Sequence, residues 1–376
     1  MMTPLLMRST SSLSNKRIFG PVIWLFSCLL ISAARLPAHA CTAFVMRGGG
    51  TILLAKNLDW EIGDGYVFVN KRGVDKEAFS PDEASALRWT SKYGSVTFNQ
   101  FGREFPSGGM NEAGLVVEEL NAGEGCRPSG SRFTVNEFQW IQYHLDNHRS
   151  VKEVLKNDPE LRISRLLFDL HYFVADRKGN SAVVECIGGK VTYHTGNRLP
   201  VPVLSNNGYA ESLRYLWLHR GFGGDRAVVR GPESLDRFVR AATLLEEYRL
   251  PAQRPLPDHA FAALKSVEQD DTQWSIVYHL SRRLIFFKTK AHRRLKIISL
   301  DSLDFSCKRP VLMLPIDTEA VRNLSRNFVP YDQGRSRSHL DAVFRRLKDL
   351  GEPASSAVDE LILGMSSYPE TCRCHK

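Results

Sequence analysis

The chain has 376 residues, 43% apolar and 24% charged, an ordinary globular composition that suits one large domain or two smaller ones. Its net charge of +9 falls to +5, 46 basic against 41 acidic residues, once residues 1–40 are set aside. A balance so mild and so dispersed excludes nucleic acid as the natural partner.

Lys16 and Arg17 precede an apolar run from Ile18 to Ala34, and Ala38-His39-Ala40 supplies a small-x-small cut site. Residues 1–40 therefore read as a cleaved export signal, which places the mature protein in the periplasm or outside the cell with Cys41 as its first residue. No later apolar run reaches the roughly 20 residues of a membrane span. The mature chain is expected to have no integral span and to be soluble or tethered by its N-terminus. Six cysteines follow the cut: Cys41, Cys126, Cys186, Cys307, Cys372 and Cys374. Export permits disulfides, but this density is not that of a disulfide scaffold. Cys372-Arg373-Cys374-His375 has no second ligand cluster at zinc spacing and reads as a loose or disulfide-linked tail; no metal or organic cofactor is expected.

Cys41–Arg47 and Thr51–Ala55 flank Gly48-Gly49-Gly50 and predict a hairpin with a glycine loop. Tyr66–Arg72 and Leu115–Leu120 predict further strands, the second running into Asn121. Helices are expected over Asn136–Asn147, where Phe138, Ile141 and Leu145 form a stripe, and over Val151–Asn157. Leu170–Ala175, Ser181–Cys186 and Lys190–His194 read as a strand cluster with turns at 177–180 and 188–189. Ser234–Glu247 predicts a helix with Pro232 near its start, and Thr272–Leu280, Arg283–Thr289 and Leu295–Leu300 read as closing strands. Leu340, Val343, Phe344, Leu347 and Leu350 mark one C-terminal helix, stopped at Gly351, and Val358, Leu361, Ile362 and Met365 mark a second. Because 331–338 is polar and basic, this pair reads as a peripheral hairpin. Strand groups separated by helical groups make the class α+β.

Cleavage before Cys41 joins a nucleophile and a base in one residue. A thiol with a pKa near 8.5 beside an α-amine near 7.7–8.0 exchanges a proton at little cost. The same amine can then protonate a leaving nitrogen, which hydrolysis of an unactivated amide requires. Two other readings of Cys41 stay open on the cut site alone. One is a lipid-bearing cysteine of an envelope lipoprotein that binds ligands without turnover, against which stand Ala38 where such sites carry Leu and the intervening His39. The other is a buried structural cysteine in a first strand.

Further motifs decide between them. Cys41-Thr42-Ala43 is followed by Lys56-Asn57-Leu58-Asp59-Trp60, then Gly109-Met110-Asn111-Glu112-Ala113-Gly114-Leu115 ending in Leu120-Asn121, then Leu204-Ser205-Asn206-Asn207, then Ser234-Leu235-Asp236-Arg237-Phe238. In this order and spacing, over about residues 41–300, the chain resembles the choloylglycine hydrolase and penicillin V acylase family, N-terminal-nucleophile hydrolases that cleave linear amides. The resemblance implies a four-layer αββα sandwich over 41–330, with 331–376 as a C-terminal helical extension. It implies that Cys41 is the nucleophile and that Asp59 orients its amine and sulfur. It further implies that Asn206 and the backbone N–H of Asn121 form the oxyanion hole, and that Arg237 supports the nucleophile electrostatically. The family's substrates are conjugated bile salts, penicillin V and N-acyl homoserine lactones, so a small-molecule amide is the expected partner, and the assembly it implies is a homotetramer. The chain departs from bile-salt hydrolases at Lys56, where they carry Arg; lysine keeps the charge and loses the planar fork. Trp60, Tyr66 and Phe68 are candidates for the acyl pocket, although aromatic strand residues are commonly core. Glu118 and Glu119 read as a solvated strand end.

Overall fold

A computed structural model describes residues 41–80, 83–125, 133–248, 257–351 and 358–375; the export signal expected over 1–40, and Cys126, lie outside these. The glycine loop turns as expected: β1 (Thr42–Gly48) and β2 (Thr51–Asp59) form a hairpin whose Gly49 and Gly50 sit at φ 54° and 75°, the left-handed region that glycine enters without steric cost. Their register sets Thr42 against Asn57, while on its other edge β1 pairs with Val203–Ser205, Thr42 against Ser205. Cys41 is one residue further along, so the pairing alone carries it between the end of β2 and Asn206.

β1 and β2 belong to a seven-stranded sheet ordered Val203–Ser205, β1, β2, Thr272–His279, Leu284–Thr289, Lys296–Ser299, Arg322–Asn323. A second sheet has nine strands, ordered Lys190–Thr195, Ser181–Ile187, Leu170–Ala175, Val116–Asn121, Gly108–Asn111, Ser95–Asn99, Tyr66–Asn70, Leu312–Pro315, Val329–Pro330. The main core lies between the sheets, where Val45, Leu54, Ile276 and Phe287 meet Val96, Phe98, Val116 and Leu120. Helices α1 (Glu137–Asn147) and α2 (Val151–Asn157) cover the outer face of the nine-stranded sheet through Trp140, Ile141, Leu145 and Val154. Each begins with a side-chain cap, Asn136 accepting from the Gln139 N–H and Ser150 from the Glu153 N–H. Helices α3 (Tyr209–Leu216), α4 (Ser234–Glu247) and α5 (Pro257–Ser266) cover the seven-stranded sheet. The layers are helix, sheet, sheet, helix, the αββα sandwich that the resemblance implies.

The C-terminal helices α6 (Gln333–Asp349) and α7 (Val358–Ser367) are not peripheral. Leu340, Val343, Phe344 and Leu347 of α6, with Ile362 and Met365 of α7, build a core cluster with Trp60, Ile62, Phe101, Phe105 and Phe138. The polar lead-in at 331–338 concealed this, because the apolar stripe of α6 starts only at Leu340. Beyond α7, Arg373–Cys374 pairs with Val74–Glu77, and Cys374 is disulfide-bonded to Cys307. Among the described residues, no helix is long and apolar enough to cross a membrane.

Candidate active site

Cys41 is 3% exposed and lies at the sheet–sheet core. In this chain its nitrogen is still an amide, joined to Ala40. Burial pushes its thiol up to about 12, and Asp59 and Glu119 add to the rise; the Lys56 ammonium and a hydrogen bond from the Asp59 backbone oppose it. Burial thus favours the protonated thiol while this nitrogen is an amide.

Asp59 closes β2 and is fully buried. Its Oδ1 accepts from the Thr272 hydroxyl at 2.5 Å, and Arg237 Nη1 approaches Oδ2 at 3.6 Å, too far for a hydrogen bond. Among the described residues Oδ2 has no hydrogen-bond partner, a state that costs about 1–3 kcal/mol for a buried acceptor. Burial drives this carboxyl up to about 7 despite Thr272 and Arg237. The pocket around Asp59 thus lacks one donor, and a positively charged one would also relieve the raised carboxyl.

Arg237 comes from α4 and is 1% exposed. Its Nη1 donates to the Cys41 carbonyl at 2.7 Å and to Thr42 Oγ1 at 2.6 Å, and its Nη2 donates to Asn206 Oδ1 at 3.1 Å. With Oδ1 so occupied, Asn206 Nδ2 donates to the Asn121 carbonyl at 3.0 Å. One guanidinium therefore ties together β1, the Asn206 turn and, through it, Asn121.

Lys56 is 3% exposed, and its Nζ donates to Glu118 Oε2 at 2.9 Å. Glu118 Oε1 accepts from the Tyr278 hydroxyl. Gly108 lies opposite Glu118 in the sheet, and a Cβ there would fall 2.2 Å from the carboxylate, so glycine makes the room this ion pair occupies. Burial would lower the lysine's pKa; Glu118, Cys41 and Glu119 together raise it above its ordinary value, so Lys56 remains a cation beside the sulfur.

Cys41, Leu58, Asp59, Trp60, Glu119 and Asn121 share a cavity of about 30 Å³ with Gln100, Phe101, Leu120, Phe168 and Leu170. Trp60 packs on Phe101 and Phe168 at centroid distances of 6.1 and 5.9 Å. Tyr66 and Phe68 do not line this cavity. They sit on the neighbouring strand, where Tyr66 packs on His339 of α6 and Phe68 on Tyr331; their side chains were claimed by the C-terminal segment. Glu118 and Glu119 are 1% and 8% exposed, not a solvated strand end, because the strand that carries them is central in its sheet. Sequence reasoning did not find Thr272, Tyr278, Phe101 or Phe168. Only the pairing of Thr272–His279 with β2, invisible in one dimension, brings Thr272 to Asp59.

Residues 41–221 match the family described as linear amide C–N hydrolases, choloylglycine hydrolase family. A penicillin V acylase of Pectobacterium atrosepticum is 26% identical over 250 residues, 61% of this chain and 65% of that relative's length. The structure of a penicillin V acylase from Agrobacterium tumefaciens superposes with a TM-score of 0.67 at 26% identity, over 78% of this chain and 98% of that one. A variant of the conjugated bile acid hydrolase from Clostridium perfringens shares the fold at 16% identity, with a TM-score of 0.62 over 75% of this chain and 98% of that one.

Proposed function

From the match of residues 41–221 to the choloylglycine hydrolase family of linear amide C–N hydrolases, we propose that the chain is an exported cysteine amidohydrolase, active once cut between Ala40 and Cys41. The observation that carries this reading is the orphaned Oδ2 of Asp59 beside a buried Cys41. Cutting converts the Cys41 amide nitrogen into an ammonium, a donor of the kind Oδ2 lacks. The same step sets a positive charge next to the sulfur and lowers the cost of its thiolate.

The reaction then runs as acyl transfer. The thiolate attacks the amide carbonyl carbon, and the oxyanion is met by the second Nδ2 proton of Asn206 with the backbone N–H of Asn121. The α-ammonium protonates the leaving nitrogen as the C–N bond breaks, giving a thioester and a free amine. The α-amine next takes a proton from water, whose oxygen attacks the thioester and releases the acid and the thiol. Lys56 supplies a fixed positive charge during thiolate formation, the part played by an arginine in bile-salt hydrolases. The substrate class is a small amide with an apolar acyl group, among which penicillin V, conjugated bile salts and N-acyl homoserine lactones are the candidates. The apolar cavity walls, Leu58, Trp60, Phe101, Leu120, Phe168 and Leu170, support recognition through the acyl group. The family resemblance supports a homo-oligomer, a tetramer, as the working assembly, which sedimentation of the mature protein tests.

Against the rival reading, a lipid-anchored binding protein, stands the position of Cys41, 3% exposed in the core between the sheets, where a lipid-bearing sulfur would have to face outward. The deciding experiment assays the mature protein on glycocholate, penicillin V and acyl homoserine lactones, with Cys41→Ala as control, alongside the intact mass of the N-terminus. Turnover lost in the control, with an unmodified Cys41, is the expected result. A lipidated Cys41, or equal turnover by the alanine variant, overturns the proposal.

A further inference from the structure

The cavity at Cys41 holds about one water molecule, far less than any acyl group. Something in its wall must move before a substrate enters. Trp60 and Phe101 are 4% and 1% exposed and locked among the aromatic residues of the C-terminal cluster. Phe168 differs. It is only partly buried and sits on the loop 165–169, between the strands Leu161–Ser164 and Leu170–Ala175. Its ring closes the cavity against Trp60 at 5.9 Å and Phe101 at 5.6 Å.

The backbone of this loop is held by a single carboxylate. Glu137, the first residue of α1, is 1% exposed. Its Oε2 accepts from the Leu166 N–H at 2.6 Å, and its Oε1 accepts from the N–H groups of Leu167 at 2.6 Å and Phe168 at 3.0 Å. At the far end, the Asp169 carbonyl accepts from the Ala122 N–H at 2.9 Å, one residue past Asn121, and a part-exposed Arg165–Asp169 ion pair at 3.3 Å closes the loop on itself. One carboxyl group serving three neighbouring amides is a geometrically specific tie. It comes from a helix that contributes no side chain to the cavity beyond this contact.

We propose that Glu137 is a positioning residue that latches the 165–169 loop, with Phe168 as the gate over the acyl pocket, so that release of this loop controls which acyl groups reach Cys41. The substrate part of this inference rests on the amidohydrolase reading; the access part does not. A loose loop admits bulkier acyl groups, and the latched loop favours slender ones.

The test compares wild type, Glu137→Gln, Glu137→Asp and Phe168→Ala as full-length processed proteins. Hydrogen exchange at the amides of 166–168 is expected to quicken at least about tenfold in Glu137→Gln, because a carboxamide offers one acceptor oxygen where the carboxyl group uses two, with partial recovery in Glu137→Asp. Alkylation of Cys41, followed by mass spectrometry of its peptide, is measured with iodoacetamide and with a bulky aryl maleimide. The bulky-to-small rate ratio is expected to rise at least about fivefold in Glu137→Gln and in Phe168→Ala, as a steric gate opens. In an acyl-chain series, KM for the bulkiest member falls more than its kcat changes. An unchanged alkylation ratio in Phe168→Ala overturns the gate, and wild-type exchange at 166–168 in Glu137→Gln overturns the latch. Should no amide be hydrolysed by any form, the proposed activity fails, while the exchange and alkylation readouts still decide this inference.

Discussion

Arg237 Nη2 donates to Asn206 Oδ1 across 3.1 Å, and this contact decides which end of the carboxamide is available as a donor. Were the amide turned over, two donors would face each other and the carbonyl oxygen would point at the Asn121 carbonyl. Asn206→Ala is therefore expected to lower kcat by about 10²–10³, the usual effect of deleting an oxyanion donor. Arg237→Lys keeps the charge but cannot span Cys41, Thr42 and Asn206 together, and loses a large part of the same rate. The double variant falls little below Asn206→Ala alone, because both changes remove one device. Kinetics of the three variants at saturating substrate check this; simple multiplication of the two losses contradicts it.

The unpaired Oδ2 of Asp59 gives a second expectation, about processing. In the uncut chain burial pushes the thiol up to about 12, so the thiolate is scarce at pH 8. A precursor held uncut is expected to fold yet show no turnover, and its Cys41 is expected to alkylate at least about tenfold more slowly at pH 8 than in the mature form. Asp59→Asn in the mature protein should return most of that difference. Iodoacetamide rates, resolved on the Cys41 peptide, provide the measurement. Equal rates before and after cutting would mean that the ammonium does not reach the sulfur.

Much of this site is legible in one dimension, because hairpin register is local. Gly48-Gly49-Gly50 forces β1 back along β2, and seven paired residues then bring Cys41 to Asp59. The motif order adds Asn206 and Arg237, since α4 follows the short strand Val203–Ser205 that flanks β1. What the sequence conceals is the partner of each partner. Thr272 reaches Asp59 across 213 residues and Tyr278 reaches Glu118 across 160. Glu118-Glu119 looked solvated because two adjacent carboxylates ordinarily are; a buried lysine and a facing glycine reverse that, and neither is adjacent in sequence. Tyr66 and Phe68 looked like pocket residues because their strand is near the site, but α6 and Tyr331 cover them. Helices α3 and α5 were missed, the first being short and following a turn-like Asn-Asn-Gly, the second opening at Pro257.

The Lys56–Glu118 pair makes a third prediction, for stability. Both side chains are at most 3% exposed, and removing one leaves the other charged and unpaired. Lys56→Met is expected to cost about 3–5 kcal/mol in urea unfolding, whereas Lys56→Met with Glu118→Gln costs clearly less. Lys56→Arg must fit a larger head group beside Glu118, whose carboxylate is already in contact range of Gly108. It is expected to lower the melting temperature and to give no gain in turnover, which sets this chain apart from relatives with arginine at that position. A more stable, faster Lys56→Arg enzyme would show instead that the lysine is a defect.

The pH dependence of stability follows from buried carboxyls shifted in opposite directions. Burial lifts Glu119 and Glu137 to about 7. Such groups bind their proton more tightly folded than unfolded, so their contribution is complete below the ordinary value of 4.5 and is lost as pH rises through 7. Glu185 behaves oppositely. Burial would raise it, but His171, His194 and the Tyr209 N–H outweigh burial and hold it at about 2. Its contribution is complete above 4.5 and is lost as pH falls toward 2. The urea midpoint is therefore expected to peak on the acid side of neutrality and to decline from pH 5 to 8. Glu137→Gln should flatten that decline, because glutamine cannot ionise, while Glu185→Gln should flatten the fall between pH 4.5 and 3 and leave the alkaline limb intact. The two variants act on separate limbs only if the shifts belong to these residues. A Glu137→Gln curve parallel to wild type from pH 5 to 8 would assign the alkaline loss to other groups.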